Sequence, residues 1–261
     1  MHHDMTDVEP AHPLRVVLDA HARTLATATA RYSWRTPVEG PVHTSAYGHT
    51  DLTTGAATMT TVTTTSPSPP PPAGDGVLVL DGLIALPGQS TPEEMTAHAL
   101  LVPKAGTLSM ILLDGPPTQD EQGRWTSSRA DATRLTMEVD PLLGSVAATF
   151  HWLAAVTSAE PDDAPGRYRV DLDLSQLVDD AHPQRREMVR LTLDRLQPGL
   201  SSGSASRTVS GIVEVDPASG FVTSFSVTTD GPDEGPQIDP VLLELRDHGV
   251  AAQVEVPPAR E

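Results

Sequence analysis

The sequence predicts an α+β fold in which one curved antiparallel sheet carries helices over one face. Segments with period-two alternation follow one another, and turn signals such as Thr54-Gly55 and Asp216-Pro217-Ala218-Ser219-Gly220 separate them. A few amphipathic segments with helical spacing interrupt the strands. Since no internal repeat or clean domain boundary is evident, residues 1–261 are predicted to form a single domain with a flexible N-terminus at 1–12.

The first predicted element is a helix that begins at Pro13, a residue suited to a first helical turn. Its apolar stripe has helical spacing and contains Leu14, Val17, Leu18, His21, Leu25 and Ala28. We interpret His21 as a hydrogen-bonded structural histidine on this stripe. Three strands are predicted next, at 32–35, 42–47 and 58–65.

The middle of the chain is predicted from turn and composition signals. Residues 66–75 are rich in proline and predict an exposed loop. Asp81-Gly82 is predicted to turn an apolar hairpin over 77–86. Thr91-Pro92-Glu93-Glu94 has capping-box spacing and predicts a short helix towards Leu101, and 107–113 predicts another strand.

The second half of the chain alternates again between strands and helices. Asp140-Pro141 predicts a helix cap, with Leu142, Val146, Phe150 and Leu153 on one side of that helix. Alternation over 168–174 predicts a half-buried strand, and Pro183 predicts a further helix. Strands are predicted at 209–215 and 221–228, and Val250 to Val256 is predicted to close the sheet.

Composition excludes several classes of partner. The formal net charge is -18, which disfavours nucleic acid and anionic lipid headgroups as partners. There is no cysteine, so a disulfide framework and a thiolate metal site are excluded. No apolar run is long enough to span a bilayer, and the first residues lack signal-peptide character, so the chain as written is predicted to be cytoplasmic.

Motifs for catalysis and metal binding give only weak candidates. No phosphate-binding Gly-rich loop and no His-Glu-x-x-His pair occur. His43, Tyr47 and His49 share one side of a predicted strand and are a candidate metal or base site. Asp171 and Asp173 are the nearest pair of carboxylates. We predict no catalytic residue, no metal and no cofactor.

Several short motifs, taken in order, resemble a known group of proteins. The motifs are Leu86-Pro87-Gly88, Arg124-Trp125 before Asp140-Pro141, Tyr168 to Asp173, Val215-Asp216-Pro217 with Gly220, and Asp247-His248-Gly249-Val250 running to Pro257-Pro258. With the leading helix and the meandering strands, they resemble actinobacterial lipoproteins of the LolA-like superfamily, the LppX and LprG group. The resemblance covers most of the chain.

The resemblance implies a half-barrel of antiparallel strands whose concave face is covered by helices around an apolar cavity. It also implies a carrier of acylated lipids rather than an enzyme. Such lipoproteins begin with a signal peptide and a lipid-modified cysteine, so a cell-envelope location is expected only if the start has been trimmed. Relative to this pattern, residues 91–122 are predicted to be an insertion.

The predicted partner is therefore a hydrophobic small molecule or lipid held between sheet and helices. The predicted apolar lining is Trp34, Leu80, Met110, Met137, Phe150, Leu172 and Phe225. These side chains could equally close on one another as a plain core. Two alternatives stay open: a module on the same fold with a filled cavity that binds a protein partner, and a hydrolase built around His43 or His49.

Overall fold

The computed structural model describes residues 12–35, 42–65, 78–80, 83–85, 94–104, 106–122, 124–126, 134–146, 148–196, 208–230, 241–250 and 254. The predicted Pro-rich loop at 66–75 and residues 1–11 of the predicted flexible terminus lie outside these ranges.

Strands make up most of the described structure. In chain order they are β1 Thr29–Arg35, β2 Val42–Asp51, β3 Ala57–Thr65, β4 Leu78–Leu80, β5 Leu83–Ala85, β6 Glu94–Lys104, β7 Thr107–Leu113, β8 Thr118–Gln119, β9 Trp125–Thr126, β10 Arg134–Met137, β11 Val156–Pro161, β12 Arg167–Leu172, β13 Thr208–Val215, β14 Val222–Asp230 and β15 Val241–Arg246.

Eleven of these strands form one antiparallel sheet in the order β10-β7-β6-β3-β2-β1-β15-β14-β13-β12-β11. Among the described strands, β10 and β11 each have one neighbour, so the sheet is open and not closed into a barrel. The prediction of one large antiparallel sheet is confirmed. The predicted hairpin over 77–86 is confirmed too, since Leu80 pairs with Leu83 between β4 and β5.

The helices are α1 Pro13–Ala26, α2 Ala148–Trp152, α3 Ser175–Asp179 and α4 Arg186–Leu196, and α2 continues as a 3-10 helix over Leu153–Ala155. α1 packs against β11, β13 and β14, and α2 packs against β14 and β15. α3 packs against α4 and the 3-10 helix. α1 and α2 thus lie over the β11 to β15 half of the sheet, whereas Met188 of α4 lies beside Gly106 in the β6–β7 turn.

The strand register defines two faces of the sheet. Val213, Phe225, Leu243 and Trp34 are register partners in succession, so they lie on one face, and the first three are buried. They belong to the same core as Val17 of α1 and Phe150 of α2. We call this the inner face, and the opposite side of the sheet the outer face.

Polar contacts fix the C-terminal end of α1 to the β13–β14 turn. The Thr24 hydroxyl, buried in the core, accepts a hydrogen bond from the Val222 backbone N–H at 2.8 Å. Arg23 donates to the Ser219 carbonyl at 3.1 Å. Gly220 has a φ of +70°, and a side chain there would meet the Arg23 guanidinium. The predicted turn at 216–220 is thus confirmed, and its glycine also makes room for the helix.

The predicted helix towards Leu101 is wrong, because residues 94–104 form β6. Capping-box spacing is a local signal, whereas β6 pairs with β3 over residues 94–101 and with β7 over residues 98–104. Together with β7 it lies inside the main sheet. Whether 91–122 is an insertion relative to related proteins stays a prediction.

The predicted helix from Pro141 begins later than expected. The Asp140 carboxylate accepts hydrogen bonds from the Leu142 and Leu143 N–H groups, as a cap would. The chain then makes a turn, in which the Gly144 N–H donates to the Asp140 carbonyl, and α2 begins only at Ala148. Glycine weakens a helix interior, which accounts for the late start.

Of the predicted closing strand from Val250 to Val256, only Val250 and Val254 lie within the described residues. The strand that joins β1 to β14 is β15, where Leu243 and Leu245 alternate with polar residues. Val254 instead makes an isolated parallel bridge to Trp125 of β9.

Candidate functional site

The inner face continues past Trp34 into strands that lie beyond α1 and α2. Trp34 pairs with Ala46, Ala46 with Thr61, and Thr61 with Ala97, so these residues share the inner face. Ala46 is buried, but Trp34, Thr61 and Ala97 are only half-buried.

The partial exposure of Thr61 is informative because β3 pairs with β2 on one side of it and with β6 on the other, whereas Ala97 pairs with β3 alone, since β7 begins to pair only at His98. Most small residues on this face are buried: Ala46 is 4%, Ala57 0% and Ala99 1% exposed. Solvent therefore reaches the inner face near Ala97 and Thr61 from the helix side of the sheet.

Methionine side chains occupy the inner face on four strands of this half of the sheet, β3, β6, β7 and β10. Met59, Met95, Met110 and Met137, four of the seven methionines in the chain, lie on the inner face and are half-buried. We call the half-buried residues of this region the inner trough: Trp34, Met59, Thr61, Met95, Ala97, Met110 and Met137. Methionine is flexible and polarisable, so such a surface can adapt to apolar ligands of irregular shape.

The predicted lining residues divide into two groups. Trp34, Met110 and Met137 belong to the inner trough, whereas Phe150, Leu172 and Phe225 are buried in the core near the helices. Leu80 lies in β4, and its side chain is outside the described part of the structure. The structure thus brings six of the seven predicted residues to one core and its border. Contact with a ligand stays a prediction.

A second feature of the inner face is a pair of histidines, His21 and His151, whose Nε2 atoms are buried. The His21 ring of α1 lies 4.8 Å from the Phe150 ring of α2, measured between centroids, and the His151 ring lies 5.6 Å from Phe150. The Nε2 atoms of both histidines are buried without a hydrogen-bond partner. Burial lowers the pKa of His21 to about 4, and burial with the nearby His21 and Arg185 lowers the pKa of His151 to about 3. Both rings are neutral at pH 7.

His21 therefore agrees only in part with its sequence interpretation. It lies on the buried stripe of α1, as expected. Its Nε2, however, lacks the hydrogen-bond partner that a structural histidine was expected to have.

The candidate metal site on β2 does not form. His43, Tyr47 and His49 share a face as predicted, but it is the outer face, since the intervening Ala46 lies on the inner one. His43 and His49 are six residues apart along one strand, about 20 Å between backbones, which is too far to share one ion. His49 stacks on Trp125 at 4.6 Å. Among the described residues, no group of three or more His, Asp or Glu could hold a metal.

The two carboxylates at 171 and 173 do not act as a pair. Asp171, exposed on β12, accepts from the Ser158 hydroxyl at 2.7 Å. Asp173 lies after the end of β12 and accepts from the backbone N–H and hydroxyl of Ser175 at the start of α3. Each carboxylate thus has a local structural role.

One pattern was missed in the sequence. Gly199-Leu200-Ser201-Ser202-Gly203 matches the Gly-x-Ser-x-Gly pattern of hydrolases, in which the serine sits on a turn from a strand into a helix. Here the pattern follows helix α4 and precedes strand β13, the reverse order, and its residues lie outside the described ranges.

Sequence reasoning also missed Met59, Met95, Thr61 and Ala97. Period-two alternation was the signal that could have found them, because in β3 and β6 the odd-numbered residues all face inward. That signal is weak in β3, where threonine occupies both faces, and in β6 the capping-box spacing concealed it.

Comparison with known proteins does not assign the chain to a family. No family model and no curated protein matches the chain. Among solved structures, the chain is similar to a porin-like protein from Bacteroides uniformis, with 10% sequence identity, 84% of this chain and 96% of that chain covered, and a TM-score of 0.26. A TM-score this low does not establish a shared fold. Within the described residues, no helix has the length and apolar character needed to cross a bilayer.

Proposed function

We propose that the protein is a non-enzymatic carrier that binds a hydrophobic, acyl-lipid-like ligand in the inner trough. In this proposal the sheet curves as a half-barrel around the helices, as in the LolA-like lipoproteins that the sequence resembles. The observation that carries it is the partial exposure of Thr61, which has a paired strand on each side, and of Ala97 beside it on the same face.

The chemistry of the trough supports an apolar ligand. Its side chains are aromatic, thioether, methyl and hydroxyl groups, and none is charged. Each acyl methylene transferred from water to such a surface contributes about 0.8 kcal/mol, so ten methylenes could offset the cost of ordering a flexible chain. Methionine rotamers can adjust to chains of different length.

The proposal is tested by filling the trough. Ala97→Phe places a ring over the trough floor, and we expect it to weaken binding of a fatty-acid probe at least about tenfold. Thr96→Phe is the matched control, because Thr96 is exposed on the outer face of the same strand. Binding is measured by native mass spectrometry and by quenching of tryptophan fluorescence with 9,10-dibromostearic acid.

Quenching also reports the location of the ligand. Trp34 borders the trough, whereas Trp125 stacks on His49 of the outer face. We expect Trp34→Phe to remove most of the quenching and Trp125→Phe to leave it in place. A protein that binds no probe, or that loses binding equally in Ala97→Phe and Thr96→Phe, would contradict the carrier function.

A protein-binding role is the second candidate, favoured by one observation. Leu135 on the inner face of edge strand β10 is 46% exposed, and an exposed leucine beside an unpaired strand edge suits a partner protein. If no lipid binds and Leu135→Asp abolishes an association that the unaltered protein shows in analytical ultracentrifugation, this second function replaces the first.

A further inference from the structure

We propose that His21 and His151 form an internal site for a carboxylic acid head group, which makes the ligand of the carrier a free fatty acid. The inference rests on the proposed carrier function and adds to it the chemical class of the head group.

The site lies where α1, α2 and the β2–β3 turn meet. The two imidazoles are both close to the Phe150 ring, and the His151 ring forms a hydrogen bond with the backbone of Leu52, just after β2. Phe150 belongs to the core that Trp34 and Met59 of the inner trough border. A chain lying in the trough could therefore extend towards the histidines without leaving apolar surroundings.

The hydrogen bond to Leu52 determines what His151 can bind. Its Nε2 has no partner, so Nδ1 makes the bond and donates its proton to the Leu52 carbonyl. In the neutral ring Nε2 then carries a lone pair and accepts a proton or a hydrogen bond. A bound acid supplies that proton, whereas an ester cannot.

Three nitrogen atoms in this part of the core lack partners. They are the Nε2 atoms of His21 and His151 and the Nε1–H of Trp152, the next residue along the chain. Buried polar groups are nearly always satisfied in folded proteins, and each unsatisfied one is costly. A carboxylic acid donates through its hydroxyl group, so it suits the two imidazole Nε2 atoms that can accept.

Charge at the site also favours an acid. Arg185 acts on His151 as a positive charge, which disfavours a further cation there. The one described acid bonded to Arg185 is Asp140, whose carboxylate Arg185 binds through two nitrogens. A proton passed from the ligand to Nε2 would leave a carboxylate paired with an imidazolium, which stabilises both charges.

The experiment compares three probes that share the same hydrocarbon chain and differ in head group: oleic acid, oleyl alcohol and methyl oleate. We expect oleic acid to bind at least about tenfold more tightly than methyl oleate. His21→Leu and His151→Leu should remove this preference while methyl oleate still binds. His43→Leu, on the outer face, is the matched control and should keep the preference.

Nuclear magnetic resonance of the unaltered protein gives a second measurement that does not depend on folding of the variants. We expect oleic acid to shift the ring carbon and proton signals of His21 and His151 towards the imidazolium form at pH 6, and methyl oleate to leave them neutral. Histidine signals that do not change when oleic acid is added would overturn the inference.

Failure of this inference is distinct from failure of the carrier function. Equal binding of all three probes would refute the acid site and leave the carrier function in place. If none of the three probes binds, the carrier function fails, and the acid site fails with it.

Discussion

At the scale of single residues, Thr24 shows how one side chain joins the helical layer to the sheet. Its hydroxyl is fully buried and accepts from the Val222 N–H, the first residue of β14. Val222 pairs with Val215 directly after a register shift in the β13–β14 ladder. One hydroxyl therefore supports both the end of α1 and the start of a strand.

We predict that Thr24→Val lowers the free energy of unfolding by about 1–3 kcal/mol, because the Val222 N–H would remain buried without a partner while the shape of the side chain is kept. Chemical denaturation with urea measures the change. Thr96→Val, on the exposed outer face of β6, should change stability by less than about 0.5 kcal/mol. Similar losses in the two variants would contradict this role.

At the scale of elements, an ion pair between half-exposed Arg185, just before α4, and buried Asp140 attaches α4 to the loop that precedes α2. Asp140 is buried and accepts hydrogen bonds from Arg185 at 2.8 to 3.0 Å, as well as from two backbone N–H groups. Its own N–H donates to the Thr192 hydroxyl of α4 at 2.8 Å. Asp140 thus holds the loop to α4 both through its carboxylate and through its backbone N–H.

Arg185→Gln should leave a buried carboxylate with only its backbone donors. We expect a loss of about 1–3 kcal/mol in unfolding free energy, less than for a fully buried pair because water can reach the half-exposed Arg185 site. Faster hydrogen exchange should accompany the loss in the amides of α4. Arg190→Gln, which removes an exposed pair with Glu187, is the control and should have little effect. Unchanged exchange in α4 would show that the pair does not attach the helix.

At the scale of the whole molecule, the helical layer contains His21 and His151 in neutral form. The pKa of His21 is lowered by burial to about 4 in the folded protein, from 6.5 when unfolded. The unfolded chain therefore binds more protons between these values, and stability falls as the pH decreases from 6.5 to 4. Burial also lowers the pKa of His49 and His248, which acts in the same direction.

We predict that the protein loses about 3 kcal/mol of stability between pH 6.5 and pH 4 through His21 alone. Urea denaturation at a series of pH values measures the slope. His21→Leu should reduce the slope over this interval without abolishing it, because His151, whose pKa is also lowered, still contributes. A stability that is constant from pH 6.5 to pH 4.5 would contradict the burial of neutral histidines. Carboxylates such as Asp216 and Glu244, whose pKa values are lowered, contribute mainly at lower pH.

Local patterns were enough to predict much of this molecule. The α1 stripe, the alternation in β12 and the turn at 216–220 were all predicted from the sequence and are present. Each depends on residues close together in the chain: helical spacing, period-two alternation, and an aspartate whose carboxylate caps the turn. The sequence also determined the composition of the inner core, because the predicted Phe150, Leu172 and Phe225 are buried.

Only the tertiary structure decided which inner residues stay accessible and which polar atoms lack partners. Ala97 and Ala99 have the same side chain on the same face of β6, yet one is half-buried and the other buried. His21 and His151 are 130 residues apart and meet only because α1 and α2 pack on the same half of the sheet. Exposure and unpaired hydrogen-bonding groups depend on which distant segments pack together, and a local sequence pattern contains no information about that packing.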